Sequence, residues 1–114
     1  MSDCVFCKIA AGEIPSKIVY EDELVCAFED ASPQMPVHTL IVPKQHYDNI
    51  AAGLPNDLMG HLFNTVKKIA EIKGIEKSGY RVIVNTGDDA QQTVHHIHVH
   101  VLGGAPMNSG SPAI

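Results

Sequence analysis

Four of the chain's seven histidines lie within six consecutive positions, 95–100. In an extended strand the side chains point alternately to two opposite faces, and neighbours on the same face are about 6.5–7 Å apart. One face would therefore carry His96, His98 and His100. The opposite face would be apolar and suited to a core, with Ile97, Val99 and Val101. Folding alone does not explain three imidazoles there, because histidine is not a strong strand former and protonated rings repel one another. The spacing predicts a strand with one core face and one chemically active face.

Three uses of the histidine face are open from the residues alone. The first is a solvated strand face on which the histidines occur by chance. The second is a metal site, because His-x-His is a common ligand pair and neutral imidazole suits zinc, although no carboxylate cluster flanks the segment. The third is nucleophilic catalysis, because a neutral imidazole is a competent nucleophile near pH 7 and neighbouring rings disfavour a second proton.

The composition limits the kind of protein that could present these histidines. The 114 residues are enough for one domain, and 45% apolar residues allow a hydrophobic core, although tryptophan is absent. The formal net charge of −5 and the lack of a basic block argue against nucleic acid as a partner. No apolar run is long enough to span a membrane, and no signal peptide is recognisable. With three cysteines, which cannot all pair, we expect a cytoplasmic protein with reduced thiols.

Five short strands and two helices are the elements that must position the histidines. Apolar residues at spacings of three and four predict one long helix over 55–73, and a short helix is expected over 4–12. Strands are predicted over 17–20, 24–28, 38–42, 80–85 and 96–102, with a polar loop over 86–92. The elements do not alternate as βαβ units, so the predicted fold class is α+β, a five-stranded antiparallel sheet with two helices. We expect one domain over 1–114, with an irregular tail over 105–114.

Residues 91–104 resemble the signature of the histidine triad (HIT) family, in which three histidines alternate with apolar residues. Further matches to that family run back along nearly the whole chain, at 6–9, 13–15, 20–22, 27–30, 33–34, 38–46 and 85. The pair Gly103-Gly104 and the small size resemble its bacterial, Hint-like branch of histidine triad nucleotide-binding proteins. The resemblance therefore implies a HIT-like fold and an activity directed at nucleotides.

The implied activity is hydrolysis of purine nucleoside 5′-phosphoramidates and acyl-nucleotidylates, without a catalytic metal. In the family the middle histidine attacks the α-phosphorus and forms a nucleotidyl-histidine intermediate, a role that falls on His98. His100 and His38 would bind phosphate or tune this nucleophile, and His96 would orient the neighbouring ring. Thr93 would contact phosphate and assist the leaving group. Two alternatives stay open: a purine-nucleotide-binding regulatory module without turnover, and a metal-dependent hydrolase that uses the His-x-His pair.

The resemblance also implies the nucleotide-binding residues, which join His98 and His100. Asp30 would accept hydrogen bonds from both ribose hydroxyls, which suits an ionised carboxylate, although the residue also fits a plain turn ahead of Pro33. Near the phosphate the family pattern places Asn85, Gln92 and Thr93. The base pocket would be apolar and loosely selective, formed by Phe6, Ala31 and Leu40.

The pair Cys4-x-x-Cys7 has the spacing of zinc ligands, although one such pair is a weak signal. Similar bacterial members of the family bind a zinc ion through such a pair and two histidines, which correspond here to His46 and His96. A structural zinc would then tie the N-terminal segment to the sheet. The alternative is a pair of reduced thiols that bind no metal.

A homodimer is expected from the resemblance, through the long helix and the strand 80–85. The sequence departs from the family pattern in three places that bear on the substrate. Gln91 stands where glycine is frequent, His95 stands where an aromatic or aliphatic residue is frequent, and the tail lacks a Trp-Pro-Pro ending. The leaving group is therefore the least defined part of the predicted substrate.

Overall fold

The fold is an antiparallel sheet of five strands with one short and one long helix. The computed structural model describes residues 3–107. The elements are α1 (Val5–Ala10), β1 (Ile18–Glu21), β2 (Val25–Glu29), β3 (Val37–Pro43), α2 (Asn56–Ile72), β4 (Tyr80–Ile83), a 3-10 turn (Asp88–Ala90) and β5 (Val99–Gly103). The strand order is β1-β2-β3-β5-β4, and every neighbouring pair is antiparallel. The predicted α+β class, with its five-stranded sheet and its long and short helix, is confirmed.

The central strands are buried on both faces because a different helix covers each face. Alternate residues of β2 enter different clusters: Val25 and Ala27 pack in the cluster that includes α2, while Cys26 and Phe28 pack with Phe6 of α1. The buried stripe of α2 has the predicted spacing and includes Leu58, Leu62, Val66, Ile69 and Ala70. A histidine on the α1 side of β5 is therefore inside the protein, not on a solvated face.

The predicted strand 96–102 is wrong at its start, because β5 begins at Val99. The register pairs Val99 with Ile41, so the residues before it would face the end of β3, where Pro43 has no N–H for a ladder. The Ile97 N–H donates instead to the Tyr47 carbonyl at 2.7 Å. His96 and His98 therefore lie in an irregular segment just before the strand, and only His100 is within it.

Other predicted boundaries differ by a few residues. The strand predicted over 80–85 ends at Ile83, whose partner His100 is the last residue of β5 that β4 pairs. The loop predicted over 86–92 contains the 3-10 turn, and Pro43, expected just beyond its strand, is the last residue of β3. The predicted end of the long helix is close, since Gly74 follows it with a positive φ of 73°, which favours glycine.

The end of the chain is only partly covered by the described residues. Residues 105–107 have no regular secondary structure, and the rest of the predicted irregular tail, 108–114, lies outside the described residues. Within 3–107, neither helix combines the length and the apolar character that crossing a bilayer requires.

Candidate active site

The His98 ring is held by the main chain just before β5. Its Nδ1 donates a hydrogen bond of 2.8 Å to the His96 carbonyl oxygen, which leaves Nε2 with a lone pair. The side chain is 7% exposed, and the Phe6 ring packs edge-on with 5.0 Å between ring centroids. Burial lowers the pKa of His98, so the ring is neutral at pH 7. A neutral imidazole with one free nitrogen is the form of histidine that acts as a nucleophile.

Three polar side chains form a connected group beside this ring: Asp30, His38 and His100. The centroid of the His100 ring lies 4.9 Å from that of His98. His38 Nε2 lies 2.9 Å from His100 Nδ1 and 3.4 Å from Asp30 Oδ2. Burial, together with the neighbouring His98 and His38, lowers the pKa of His100 to about 4, so this ring is also neutral at pH 7.

The Nε2 atom of His100 is the last atom of this hydrogen-bonded group. Its Nε2 is buried and has no hydrogen-bond partner within residues 3–107. Leaving a buried polar atom unpaired costs about 1–3 kcal/mol, so native proteins seldom do so without a use for it. This nitrogen, on a ring whose centroid lies 4.9 Å from that of His98, is a candidate partner for a polar group of a ligand.

The same group has potential metal ligands close together, since one ligand atom each from Asp30, His38 and His100 lies within 4.8 Å of the others. The hydrogen bonds favour a different use. The Gln34 backbone N–H donates to His38 Nδ1 at 3.0 Å, so the proton of the neutral ring is on Nε2. His38 Nε2 could therefore bind a cation only as an imidazolate or after the bond to Gln34 breaks. The group suits hydrogen bonding better than metal binding.

A cavity of about 540 Å³ opens next to this group. Its lining includes Asp30, Ala31 and His38, together with the charged residues Lys17 and Glu29. Asp30 also accepts a hydrogen bond of 2.7 Å from the Ser32 backbone N–H through Oδ1, as the turn interpretation expects, which leaves Oδ2 toward His38. The volume lies within the range of about 300–1,000 Å³ that is usual for small-molecule sites.

Phe6 and Leu40, which were predicted for the base pocket, lie in the buried cluster on the α1 face rather than in the lining of this cavity. That cluster also contains Phe28, whose ring centroid is 5.3 Å from that of Phe6. Leu40 pairs with His100 in the β3–β5 register, so it is next to the histidine group. The two apolar residues therefore form the wall behind the histidines, and Ala31 lies at the cavity.

A second cluster joins the start of α1 to the segment before β5: Cys4, Cys7, His46 and His96. One ligand atom from each lies within 4.8 Å of the others. The Sγ atoms of Cys4 and Cys7 lie 3.3 and 3.4 Å from His96 Nδ1, and Cys7 Sγ lies 3.3 Å from His46 Nδ1. Tetrahedral zinc, with bonds of about 2.3 Å to sulfur and about 2.0–2.1 Å to nitrogen, places sulfur and nitrogen about 3.5 Å apart. The donor set fits a zinc ion.

The outer hydrogen bonds of this cluster hold both imidazoles in the tautomer that a metal ligand needs. The Nε2 atom of His96 donates to the Pro43 carbonyl at 2.8 Å, and that of His46 donates to Asp48 Oδ1 at 2.8 Å. In each ring Nδ1 is therefore the atom with a lone pair, and it faces the cysteine sulfurs. Such a partner on the second nitrogen is the usual arrangement of histidine ligands.

The ionisation of Cys7 would depend on whether a cation is bound. Burial and the neighbouring Cys4 raise the pKa of Cys7 to about 11, so without a nearby positive charge the Cys7 thiol is protonated at pH 7. A metal ion reverses this effect, since a coordinating thiol is deprotonated. The third thiol, Cys26, is buried in the sheet as expected, and it takes no part in the cluster.

The comparison with protein families agrees with this geometry. The model of the HIT domain matches residues 11–107, a stretch that includes every histidine of both clusters. The chain belongs to the HIT domain family.

Relatives of this HIT domain are similar over almost their whole length. An uncharacterized HIT-like protein of Synechococcus elongatus is 50% identical over 107 residues, which cover 92% of this chain and 93% of that protein. A purine nucleoside phosphoramidase of Escherichia coli K12 is 46% identical over 112 residues, covering 92% and 90%.

Solved structures show the same fold. A histidine triad protein of Clostridium difficile has a TM-score of 0.90 at 46% identity and covers 97% of this chain and 98% of its own. A HIT family hydrolase of Legionella pneumophila has a TM-score of 0.90 at 41% identity, covering 95% and 98%.

Three residues that the HIT resemblance assigned to the phosphate lie outside the histidine group. Thr93 is exposed and lines a separate cavity of about 420 Å³ with Cys4, His46 and Asp48. Asn85 is half-buried, two residues beyond the end of β4.

Gln92 is the third of these residues, and its carboxamide is committed to backbone groups. Its Oε1 accepts from the Gly87 N–H at 2.9 Å, and its Nε2 donates to the carbonyls of Asp48 and Val94 at 2.7 and 3.2 Å. These bonds join the loop before β5 to the segment that carries His46. Gln92 therefore shapes the loop in this HIT domain, and its side chain has little capacity left for a nucleotide.

Two contributors were not predicted from the sequence. Gln34 acts through its backbone N–H, and a backbone group leaves no mark on residue type. Asp48 bonds His46 from two positions away, a spacing that any surface aspartate can have. Neither carries a signal that a search for side-chain motifs could have found.

Proposed function

We propose that this protein hydrolyses purine nucleoside 5′-phosphoramidates and acyl-nucleotidylates through a covalent nucleotidyl-histidine on His98. The observation that carries the proposal is the state of that ring: Nδ1 is bonded to the His96 carbonyl and Nε2 is free and neutral. The 46% identical phosphoramidase of Escherichia coli supports the same reaction class. The proposed chemistry needs no catalytic metal.

In the first step the lone pair of His98 Nε2 attacks the α-phosphorus, a P–Nε2 bond forms and the bond to the leaving amine breaks. The amine departs with a proton that comes from solvent, for which the exposed hydroxyl of Thr93 is the proposed relay. The unpaired Nε2 of His100 and, behind it, His38 would stabilise the charge that develops on phosphate oxygen. Water then attacks phosphorus, the P–Nε2 bond breaks and its electron pair returns to His98 Nε2, and one proton of the water passes to solvent. These changes release the nucleoside monophosphate and restore the neutral ring.

The remaining proposed contacts hold the nucleoside. Asp30 would accept from the ribose hydroxyls, because Oδ2 faces the cavity group and a carboxylate can only accept. The base would lie in the cavity that Ala31 lines, with the buried wall of Phe6 and Leu40 behind the histidines at its side. Asn85 is proposed as a further phosphate contact on the basis of the HIT resemblance alone.

The test is to measure turnover and the intermediate together. We expect His98→Asn to lower kcat for adenosine 5′-phosphoramidate at least about a thousandfold, since removing a nucleophile leaves only binding and electrostatic effects. Quenching with denaturant at alkaline pH, where a P–N bond to imidazole survives, followed by mass spectrometry, should find one added nucleotidyl group on the wild type and none on the variant. His95→Asn, at an exposed position three residues away, is the matched control and should keep wild-type turnover.

Turnover of the His98→Asn protein within a few-fold of wild type would end the covalent mechanism. Tight binding of a nucleoside monophosphate by the wild type with no turnover would instead favour the regulatory nucleotide-binding module.

We also propose that Cys4, Cys7, His46 and His96 hold one structural zinc ion, which ties α1 to the segment before β5. The support is the donor set and the two fixed Nδ1 lone pairs. Elemental analysis of protein purified without chelator should find about one zinc per chain. The absence of zinc, together with unchanged stability of Cys4→Ser, would overturn the proposal.

A homodimer is the third proposal, formed along β4 and α2. The support is that β4 is an edge strand and that Tyr80 and Val82, on one face of it, are 39% and 38% exposed. Light scattering on the eluted peak should give twice the chain mass, and Val82→Lys should shift it toward the monomer. A monomer at all concentrations would exclude it.

A further inference from the structure

One backbone amide decides where the protons lie on the two histidines beside the nucleophile. The Gln34 N–H donates to His38 Nδ1 at 3.0 Å, between the loop that follows β2 and the second residue of β3. A ring nitrogen that accepts a hydrogen bond does not carry the proton, so neutral His38 is protonated on Nε2. Asp30 Oδ2, 3.4 Å from the same Nε2, supports this assignment because a carboxylate can only accept.

The assignment passes on to His100. Its Nδ1 lies 2.9 Å from His38 Nε2 and must accept from it, so neutral His100 also carries its proton on Nε2. Burial lowers the pKa of both rings, which supports one proton per ring at pH 7.

With one proton on each ring, the chain of hydrogen bonds has two possible directions. In the direction that starts from Gln34, it ends on a donor, the buried and unpartnered Nε2–H of His100. In the reverse direction the same nitrogen would carry a lone pair, which repels a phosphate oxygen. The two directions therefore differ in whether the site can bind the developing charge.

We propose that the Gln34 backbone amide is a positioning group: it holds His38 and His100 in their Nε2-protonated forms and so makes His100 a hydrogen-bond donor to phosphate. The inference rests on the proposed function only for the identity of the acceptor. The proton positions themselves follow from the hydrogen bonds and are measurable without substrate.

The first measurement uses the wild-type protein labelled with ¹⁵N-histidine. Long-range ¹H–¹⁵N correlation spectra distinguish the two tautomers of each ring. We expect Nε2–H for His38 and His100 and Nδ1–H for His98, which serves as an internal reference because the His96 carbonyl sets its tautomer. A dominant Nδ1–H form of His38 or His100 in the wild type would overturn the proposal at once.

The second measurement removes the amide hydrogen. An amide-to-ester replacement at the Pro33–Gln34 linkage deletes the N–H with little change of shape, and Gln34→Pro deletes it by substitution. Loss of one hydrogen bond shifts an equilibrium by about two- to tenfold. We therefore expect the ratio of Nδ1–H to Nε2–H tautomers of His38 and His100 to rise by that factor. Turnover should fall in parallel while His98 is unchanged. Gln34→Ala keeps the N–H and should behave as the wild type.

The outcomes separate this proposal from the proposed function. If the ester protein keeps both rings fully Nε2-protonated, the role of Gln34 is excluded, whatever the activity. If the wild type has the expected tautomers and no phosphoramidase activity, the proposed function fails and the positioning role stands. The ester protein decides the matter if Gln34→Pro does not fold.

Discussion

His96 and His98 are two residues apart, and their rings carry the proton on opposite nitrogens. The His96 Nε2–H bonds the Pro43 carbonyl and its Nδ1 faces two cysteine sulfurs, whereas the His98 Nδ1–H bonds the His96 carbonyl and its Nε2 is free. The His96 ring thus turns its lone pair toward the cysteines, as the proposed zinc site requires, and the His98 ring keeps a free lone pair, as the proposed nucleophile requires. Residue type is the same in both, so the difference lies in which carbonyl each ring meets.

His96 also links the cysteine cluster to His98. The His96 side chain contacts the Cys4 sulfur, and the His96 carbonyl oxygen accepts the hydrogen bond that orients the His98 ring. A metal that immobilises the His96 ring therefore limits the motion of the carbonyl that orients His98. We expect stability to depend mainly on the cysteine cluster, and chemistry mainly on His98 and the histidines beside it.

The largest expected effect is on stability, from breaking the cysteine cluster. Cys7→Ser should lose the zinc, because it removes a ligand that faces both His46 and His96. A ligand at a thousand times its Kd stabilises by about 4 kcal/mol, and we expect a loss of that order in chemical unfolding. Zinc content by elemental analysis is measured on the same samples.

Cys26→Ser is the matched control, since that buried thiol is outside the cluster. It should keep the zinc. If Cys7→Ser unfolds at the same denaturant concentration as the wild type, the cysteine cluster does not stabilise the fold as proposed.

The next effect concerns Phe6, which packs against both His98 and Phe28. Phe6→Ala should cost about 3 kcal/mol of stability because the ring is buried, with 8% exposed, and it should also weaken nucleoside monophosphate binding. Leu62→Ala, in the cluster on the other face of the sheet, should cost stability without a change in Kd. Isothermal titration at a temperature where both variants are folded checks the difference. Equal loss of affinity in both would show that Phe6 acts through stability alone.

The sequence predicted the sheet, both helices and the group of histidines, because hydrophobic periodicity and the His-x-His-x-His spacing are properties of residue order. It placed His96 and His98 in a strand, since alternation alone does not reveal that Pro43 ends the ladder opposite them. The proton positions were not predictable for a related reason. They depend on backbone groups of Gln34, Pro43 and His96, which any residue type supplies except where proline removes an N–H.

A smaller loss of stability is expected on acidification, and it depends on His100, beside His98, rather than on the cysteine cluster. Burial and the neighbouring His98 and His38 lower the pKa of His100 to about 4, against about 6.5 in the unfolded chain. Between these values the unfolded state binds more protons, so stability is full above about pH 6.5 and falls as the pH drops toward 4. The total loss from this one ring is about 3 kcal/mol, at about 1.4 kcal/mol per pH unit.

Urea unfolding at a series of pH values between 4 and 7 measures this slope. His100→Gln should flatten it by roughly the share of one proton, while the exposed His95→Gln should keep the wild-type slope. An unchanged slope in His100→Gln would show that the ring is not the acid-sensitive group.

The smallest expected effect is on zinc affinity and comes from Asp48, which is not itself one of the proposed ligands. Asp48 holds the His46 ring through a 2.8 Å bond to Nε2, so Asp48→Ala should lower zinc affinity by about 10- to 100-fold, as the loss of such partners commonly does. The His96 ring keeps its bond to Pro43, and the Asp48 carbonyl still accepts from Gln92, because that bond belongs to the backbone. Zinc affinity, measured by competition with a chelating dye, should therefore fall while turnover at saturating zinc stays within about twofold of wild type. A large loss of turnover with zinc bound would mean that Asp48 acts on the chemistry directly, through the cavity it shares with Thr93.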